Sequence, residues 1–148
     1  MLPALNWTSP GSRRAVIMGC GQIGSSIAGI LAEDGWSLHM IDLDPAAFSL
    51  LPAGMMNDGQ VVAIVGDGTL ESDLRKSSTQ DAEVFVAVSG KDARNALAAQ
   101  IAKHVLQVKT VICRVNDPAS KEMYEQFGIV TVSATALVTD MILQAARS

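Results

Sequence analysis

Apolar positions along this chain recur in two alternating patterns. Short runs of four or five aliphatic residues, as in strands buried on both faces, are separated by stretches where apolar residues return every three to four positions, as on a helix. The runs predict strands at 15–18, 37–41, 61–65, 84–88, 110–114 and 129–132. Between them the spacing predicts helices over about 23–34, 70–76, 92–104 and 118–126, a short helix from Pro45 to about Leu51, and a closing helix over about 134–146. In the first helix Ile23, Ile27, Ile30 and Leu31 share one stripe, and Gly35 supplies the stop. In the helix over 92–104, Leu97 and Ile101 are the inward pair; in the last, Leu137, Val138, Met141, Ile142 and Ala145 form a wide apolar stripe. That stripe either covers the sheet or reaches a second subunit. Residues around Gly54, Asn57 and Gly59 read as a loop, and residues 1–13 as a loose tail. Six strands alternating with helices imply an α/β fold of three layers around one doubly wound, six-stranded parallel sheet, with a single domain over 14–148.

Composition narrows this picture. Aromatic residues are only 4% of the chain while hydrophobic residues are 49%, so the core must be aliphatic, as in parallel sheets. The net charge of −4 and the absence of a basic face argue against nucleic acid as a partner. Cys20 and Cys113 sit in apolar contexts at no metal-like spacing and read as reduced thiols of a cytosolic protein. Residues 1–10 lack the pattern of a signal peptide, and no apolar run reaches the ~18–20 residues of a membrane span, so any link to a membrane is expected to run through a partner.

The chemistry concentrates where strands end. Gly19-Cys20-Gly21-Gln22-Ile23-Gly24 fits G-x-G-x-x-G between a predicted strand and a predicted helix, the setting that the Rossmann dinucleotide fingerprint requires. The first glycine permits the turn, the second admits a phosphate to the backbone, the third lets helix and strand pack closely, and the helix N-terminus offers amides to an anion. Asp42 ends the second strand, near the fingerprint spacing of ~20 residues, where a carboxylate accepts ribose hydroxyls and repels a 2′-phosphate. NAD(H) or an unmodified adenosine nucleotide is therefore expected, with NADP disfavoured. Asp67, Gly68 and Thr69 follow the third strand at the same sheet edge; Thr69 either faces adenine, caps the next helix, or does both. Val88 and Ser89 end the fourth strand. Arg114 ends the fifth, as a phosphate partner or as half of an ion pair.

These strings, with Ile41-Asp42-Leu43-Asp44, Gly66-Asp67-Gly68-Thr69 and Arg114-Val115-Asn116-Asp117-Pro118, resemble the N-terminal lobe of RCK domains, also called KTN or TrkA-N domains. The resemblance spans about residues 14–142. It implies a cytosolic regulator of a membrane-embedded potassium transporter or channel, a homodimer or larger ring, with NAD(H), AMP, ADP or ATP in the cleft biasing potassium flux. It implies that Gly19, Gly21 and Gly24 hold phosphates, Asp42 the ribose, and Asp67 and Thr69 the adenine; Cys20, Gln22, Ile23, Leu43, Gly68, Val88, Ser89 and Arg114 complete the expected lining. Gln22 stands where many members carry arginine, which removes a charge-assisted phosphate contact and weakens the case for tight ATP binding. The chain ends at Ser148 without the small C-terminal lobe that often follows, as a one-lobe member or as a piece of a longer chain.

An enzyme needs a proton donor beside its cofactor. The only histidines are His39, inside the second strand, and His104, at a helix end on the opposite edge of the sheet. Lys91, Asp92 and Asn95 lie near the cleft mouth, with ligand contact and helix capping equally able to explain them. Cys20 has no neighbouring cation in sequence to activate it. A binding module is expected rather than an enzyme; an NAD-dependent oxidoreductase fragment and a non-binding dimerisation scaffold are the alternatives.

Overall fold

Strands this aliphatic call for cover on both faces, and the molecule supplies helices on both sides of a parallel sheet except over one face of its last three strands. The structure is a computed structural model that describes residues 5–7 and 11–148. Its six strands are β1 (Arg14–Met18), β2 (Ser37–Asp42), β3 (Val61–Val65), β4 (Val84–Ala87), β5 (Thr110–Arg114) and β6 (Val130–Val132). All pair in parallel, in the order β3-β2-β1-β4-β5-β6. The order reverses between β1 and β4, and that switch point is where ligands of open α/β sheets bind, outside the carboxyl ends of the strands.

The helices are α1 (Gln22–Glu33), α2 (Ala53–Asn57), α3 (Glu71–Lys76), α4 (Asp92–Gln100), α5 (Pro118–Gln126) and α6 (Ala134–Arg147). Pro45–Leu50 is a 3-10 turn, opened by the Asp44 carboxylate accepting from the amide of Ala46 and by Pro45 at the first position. α2 lies where a loop was expected, because Gly54 and the preceding Pro52 mask a single helical turn. α4 runs on into one π-helical stretch, Ile101–Val105, in place of the unbroken helix expected to His104.

The core lies in two layers, one on each face of the sheet. One joins Val16, Ile41, Phe85, Val111 and Cys113 to Leu74 and to Ala98, Ala99 and Ala102; the other joins Ile17, Leu38, Met40 and Val61 to Ala28 and Ala32 of α1 and to Leu51. These contacts correct the expected inward faces. α1 buries Gly24, Ser25, Ala28 and Ala32; of its expected stripe Ile27 and Leu31 pack partly against the core, while Ile23 and Ile30 are exposed. α4 buries Asn95, Ala96, Ala98 and Ala99; Leu97 is exposed, while Ile101 packs partly against the core as expected. Small residues let helix and strand approach closely, so the face that packs is not the bulkiest one.

Two further features differ from the sequence reading. Part of the supposed loose tail is docked: the Leu5 amide donates to the Lys76 carbonyl, and the Trp7 ring stacks on His39 with centroids 3.7 Å apart. Residues 1–4 and 8–10 of that tail fall outside the described residues. α6 does not cover the sheet either. Every residue from Thr135 onward is exposed, and an apolar groove of about 470 Å³ lies open on the other face of β4–β6, lined by Ile27, Leu31, Trp36, Val86, Ile112 and Leu137.

Candidate functional site

The glycine loop joins β1 to α1 at the switch point, and its three glycines have three different reasons to be there. Gly19 has φ +104°, and a Cβ on it would lie 2.7 Å from the Ser89 amide nitrogen, so it both makes the turn and lets β1 pass close to β4. A Cβ on Gly24 would lie 1.8 Å from the Gly19 carbonyl oxygen, so α1 packs against its own loop only without a side chain there. Gly21 has nothing within 4 Å of the Cβ position; it borders open space at the N-terminus of α1. Open space beside free helical amides is what an incoming phosphate requires.

The acidic wall of the site comes from β2 and β3. Asp42 braces the loop: its Oδ2 accepts from the Cys20 amide at 2.8 Å, and its Oδ1 from the Asp44 amide at 2.9 Å. The carboxylate is thus fixed in direction while keeping lone pairs for a ribose. Asp67 Oδ1 accepts from the Thr69 amide (2.9 Å), the Thr69 hydroxyl (2.6 Å) and Arg94 Nη2 (2.6 Å). The Thr69 hydroxyl and amide, with Arg94 behind them, hold the Asp67 carboxyl below the usual carboxylate range. Thr69 therefore spends its hydroxyl on Asp67; the residue preceding α3 is Leu70, and no side chain caps it, which corrects the capping alternative. The Asp67 amide in turn donates to Asp73 Oδ2 at 2.8 Å, tying the β3 loop to α3.

The basic wall comes from β4, β5 and α4. Asn95, wholly buried, is its anchor: its Oδ1 accepts from the Ser89 amide (2.9 Å) and hydroxyl (2.6 Å), and its Nδ2 donates to the carbonyls of Ser89 (2.9 Å) and Arg114 (3.1 Å). One side chain thereby fixes the ends of both strands. Asp92 does not cap α4 but accepts from the amides of Asn116 and Asp117, holding the loop after β5. Arg114 makes no ion pair among the described residues, and its Nε is buried without a partner.

Between the walls lies a cleft of about 740 Å³. Of the residues expected from sequence, Gly19, Gly21, Gln22, Ile23, Asp42, Leu43, Val88, Ser89 and Arg114 line it. Gly68 lines a smaller hollow beside it, with Met18, Ile41 and Gly66. Cys20, Gly24, Asp67 and Thr69 line neither; they hold the walls in place from behind. Lys91, placed by sequence near the cleft mouth, lines it too, and Asp44, Ala47, Gly90 and Arg94 join the lining unforeseen. Arg94 carried no signal in sequence, because an arginine in the first turn of a helix has no motif to mark it.

Neither histidine lines the cleft. His39 is buried on β2, its Nδ1 bonded to the Ser77 carbonyl at 2.8 Å, and burial, aided by nearby Arg14 and opposed by that bond, lowers its pKa. His104 lies beyond α4, edge-on to Phe127. Burial, reinforced by Asp42, pushes the Cys20 thiol up to about 11, and burial with Asp92 pushes Cys113 to about 12. Thiols so raised stay protonated and unreactive near neutral pH.

The profile of the TrkA-N domain matches residues 15–135, most of the chain and the whole of the cleft. The chain belongs to the TrkA-N family. It is 36% identical over 129 residues to the Trk system potassium uptake protein TrkA of Streptomyces coelicolor, covering 87% of this chain and 56% of that relative. The chain thus spans about half the length of that curated TrkA relative. Among solved structures it is similar to a Shewanella denitrificans Kef CTD in its AMP-bound form (TM-score 0.72, 20% identity, 91% of this chain and 80% of that one). It is also similar to the GsuK channel bound to NAD (TM-score 0.66, 14% identity, 88% of this chain and 23% of that one). At these identities the two structures support the TrkA-N fold, a Rossmann-type sheet. No helix among the described residues is long and apolar enough to cross a membrane.

Proposed function

We propose that this TrkA-N domain is the nucleotide-sensing part of a cytosolic regulatory subunit that works with a membrane-embedded potassium transporter or channel. It binds NAD(H) or an adenosine phosphate (AMP, ADP or ATP) in the cleft, and the bound nucleotide biases potassium flux. The observation that carries the reading is the join of Gly21, open to the cleft at the N-terminus of α1, with Asp42, fixed by the Cys20 and Asp44 amides at the end of β2. Phosphate on the first and ribose hydroxyls on the second is the division of labour that the fingerprint calls for. A 2′-phosphate would meet the Asp42 carboxylate, so NADP is disfavoured. The family supports the transport role through the TrkA relative, and the AMP- and NAD-bound neighbours support the ligand class.

The domain acts as a sensor rather than an enzyme, a reading supported by its family and by the placing of both histidines away from the cleft. It works as a homodimer, and larger rings would form on the membrane partner. The bare groove over β4–β6 and the exposed stripe of Leu137, Val138, Met141 and Ile142 on α6 support exchange of α6 between two copies. Calorimetric titration with AMP, ADP, ATP, NAD and NADH at matched salt tests the ligand reading: micromolar binding of at least one is expected, and no binding of any would overturn it. Light scattering should give twice the chain mass at micromolar concentration; a monomer throughout would remove the dimer.

A further inference from the structure

We propose that Arg94 is the residue by which this cleft reads a second phosphate: it exchanges Asp67 for the ligand when a diphosphate binds. The inference rests on the nucleotide reading above and goes beyond it in saying which ligands are told apart, and by what.

Arg94 lies in the first turn of α4 and reaches across the site to the β3 loop, where its Nη2 bonds Asp67 Oδ1 at 2.6 Å. Its side chain borders both the main cleft, shared with Gly21 and Gln22, and the smaller hollow, shared with Gly19 and Gly68. Lys91 and Arg114 line only the first of these, so Arg94 is the cation that stands between the glycine loop and the acidic wall.

Three features make it an exchangeable partner. The pair is partly open to solvent, at 30% and 26% side-chain exposure, and such pairs are held weakly. Asp67 Oδ1 keeps two donors, the amide and hydroxyl of Thr69, when the guanidinium leaves. The glycine loop brings no cation of its own, since its central position is Gln22. The loop amides and the α1 N-terminus supply neutral donors to the phosphate nearest them. A second phosphate adds charge that a cation holds more strongly than neutral amides do, and a guanidinium can bind it through two parallel bonds. A monophosphate leaves Arg94 on Asp67; a diphosphate draws it off.

The experiment is calorimetric titration of AMP and ADP into the wild-type chain and into Arg94→Gln, Arg94→Lys and Asp67→Asn variants, each first checked for a folded circular dichroism spectrum. Arg94→Gln should weaken ADP about 10-fold, the size of one screened charge-assisted contact, and change AMP by less than about 3-fold. Arg94→Lys should recover part of the ADP loss. Asp67→Asn, which removes the competitor, should raise the preference for ADP over AMP, a change that a purely structural ion pair would not cause. Equal loss of AMP and ADP in Arg94→Gln, or an unchanged ratio in both the Arg94→Gln and Asp67→Asn variants, overturns the role of Arg94 while leaving the nucleotide site intact. If the wild-type chain binds neither AMP, ADP nor NAD, the nucleotide reading itself falls, and this inference with it.

Discussion

The two walls of the cleft are built by opposite means. On the β2–β3 side the functional groups are carboxylates, and each is aimed by backbone amides of neighbouring turns: Asp42 by Cys20 and Asp44, Asp67 by Thr69. On the β4–β5 side the lining groups are cations, Lys91, Arg94 and Arg114; the buried Asn95 side chain ties the ends of β4 and β5 beneath them, and of the three only Arg94 meets a carboxylate, Asp67, among the described residues. The acidic wall is aimed by amides of the glycine loop and of its own turns, suited to recognising a sugar of fixed shape. The basic wall is held at its root by Asn95, and of its tips only Arg94 is paired among the described residues, an arrangement suited to phosphates whose number and position vary. Under the proposed function, the acidic wall receives the sugar and the basic wall tells the phosphates apart.

The strongest way to break both walls at once is at their joint. Gly24→Ala places a methyl 1.8 Å from the Gly19 carbonyl, so α1 must move off the loop. Urea denaturation should show a loss of about 3 kcal/mol or more, the upper range for overpacked sites, together with loss of nucleotide binding. A fully stable variant would mean that α1 sits farther from the loop than described.

Asn95→Ala attacks the basic wall alone. It removes four hydrogen bonds from a buried site, and the unpaired Ser89 and Arg114 groups should cost about 2–3 kcal/mol in the same assay. Affinity for ADP should fall while that for unphosphorylated adenosine holds, which separates the walls by ligand. Asp42→Ala is its counterpart on the acidic wall. Loss of the brace to Cys20 and Asp44 should cost about 1 kcal/mol, and discrimination of NAD from NADP should collapse.

The smallest effect lies beneath the acidic wall, at His39 on β2. Its folded pKa is lowered, so the folded state holds it neutral while the unfolded chain takes up a proton below about pH 6.5. The stabilisation is full above that pH and declines as pH falls through it. Chemical denaturation between pH 7.5 and 5 should show this decline, and His39→Phe, which keeps a ring for Trp7 to stack on, should flatten it. A wild-type profile without slope would place His39 in a less buried setting.

Much of this was legible in sequence because it depends on local rules. The glycine loop, the strand periods and the acid ending β2 are set by turn geometry and burial within a few residues. What depends on the meeting of distant segments was not. Of the α1 stripe only Ile27 and Leu31 pack against the core; Ile23 and Ile30 stay exposed, and Ala28 and Ala32 are the buried residues because the helix lies close over the sheet. Leu97 misled for the same reason beside Ala98 and Ala99. Trp7 finds His39 across 32 residues of chain, and Arg94 finds Asp67 across 27, and no spacing rule foretells either. Asn95 was noticed at the cleft mouth, but its role as the tie between β4 and β5 exists only once the strands pair.

The central claim is that Asp42 and the glycine loop together form the site of an adenine nucleotide whose ribose is unphosphorylated. The most direct test is calorimetric titration of the wild-type chain with NAD and with NADP under one buffer and salt. The account predicts micromolar binding of NAD with NADP at least about 10-fold weaker, the cost of a 2′-phosphate set against a fixed carboxylate. NADP binding as tightly as NAD, with the Asp42→Ala variant unchanged, would contradict it.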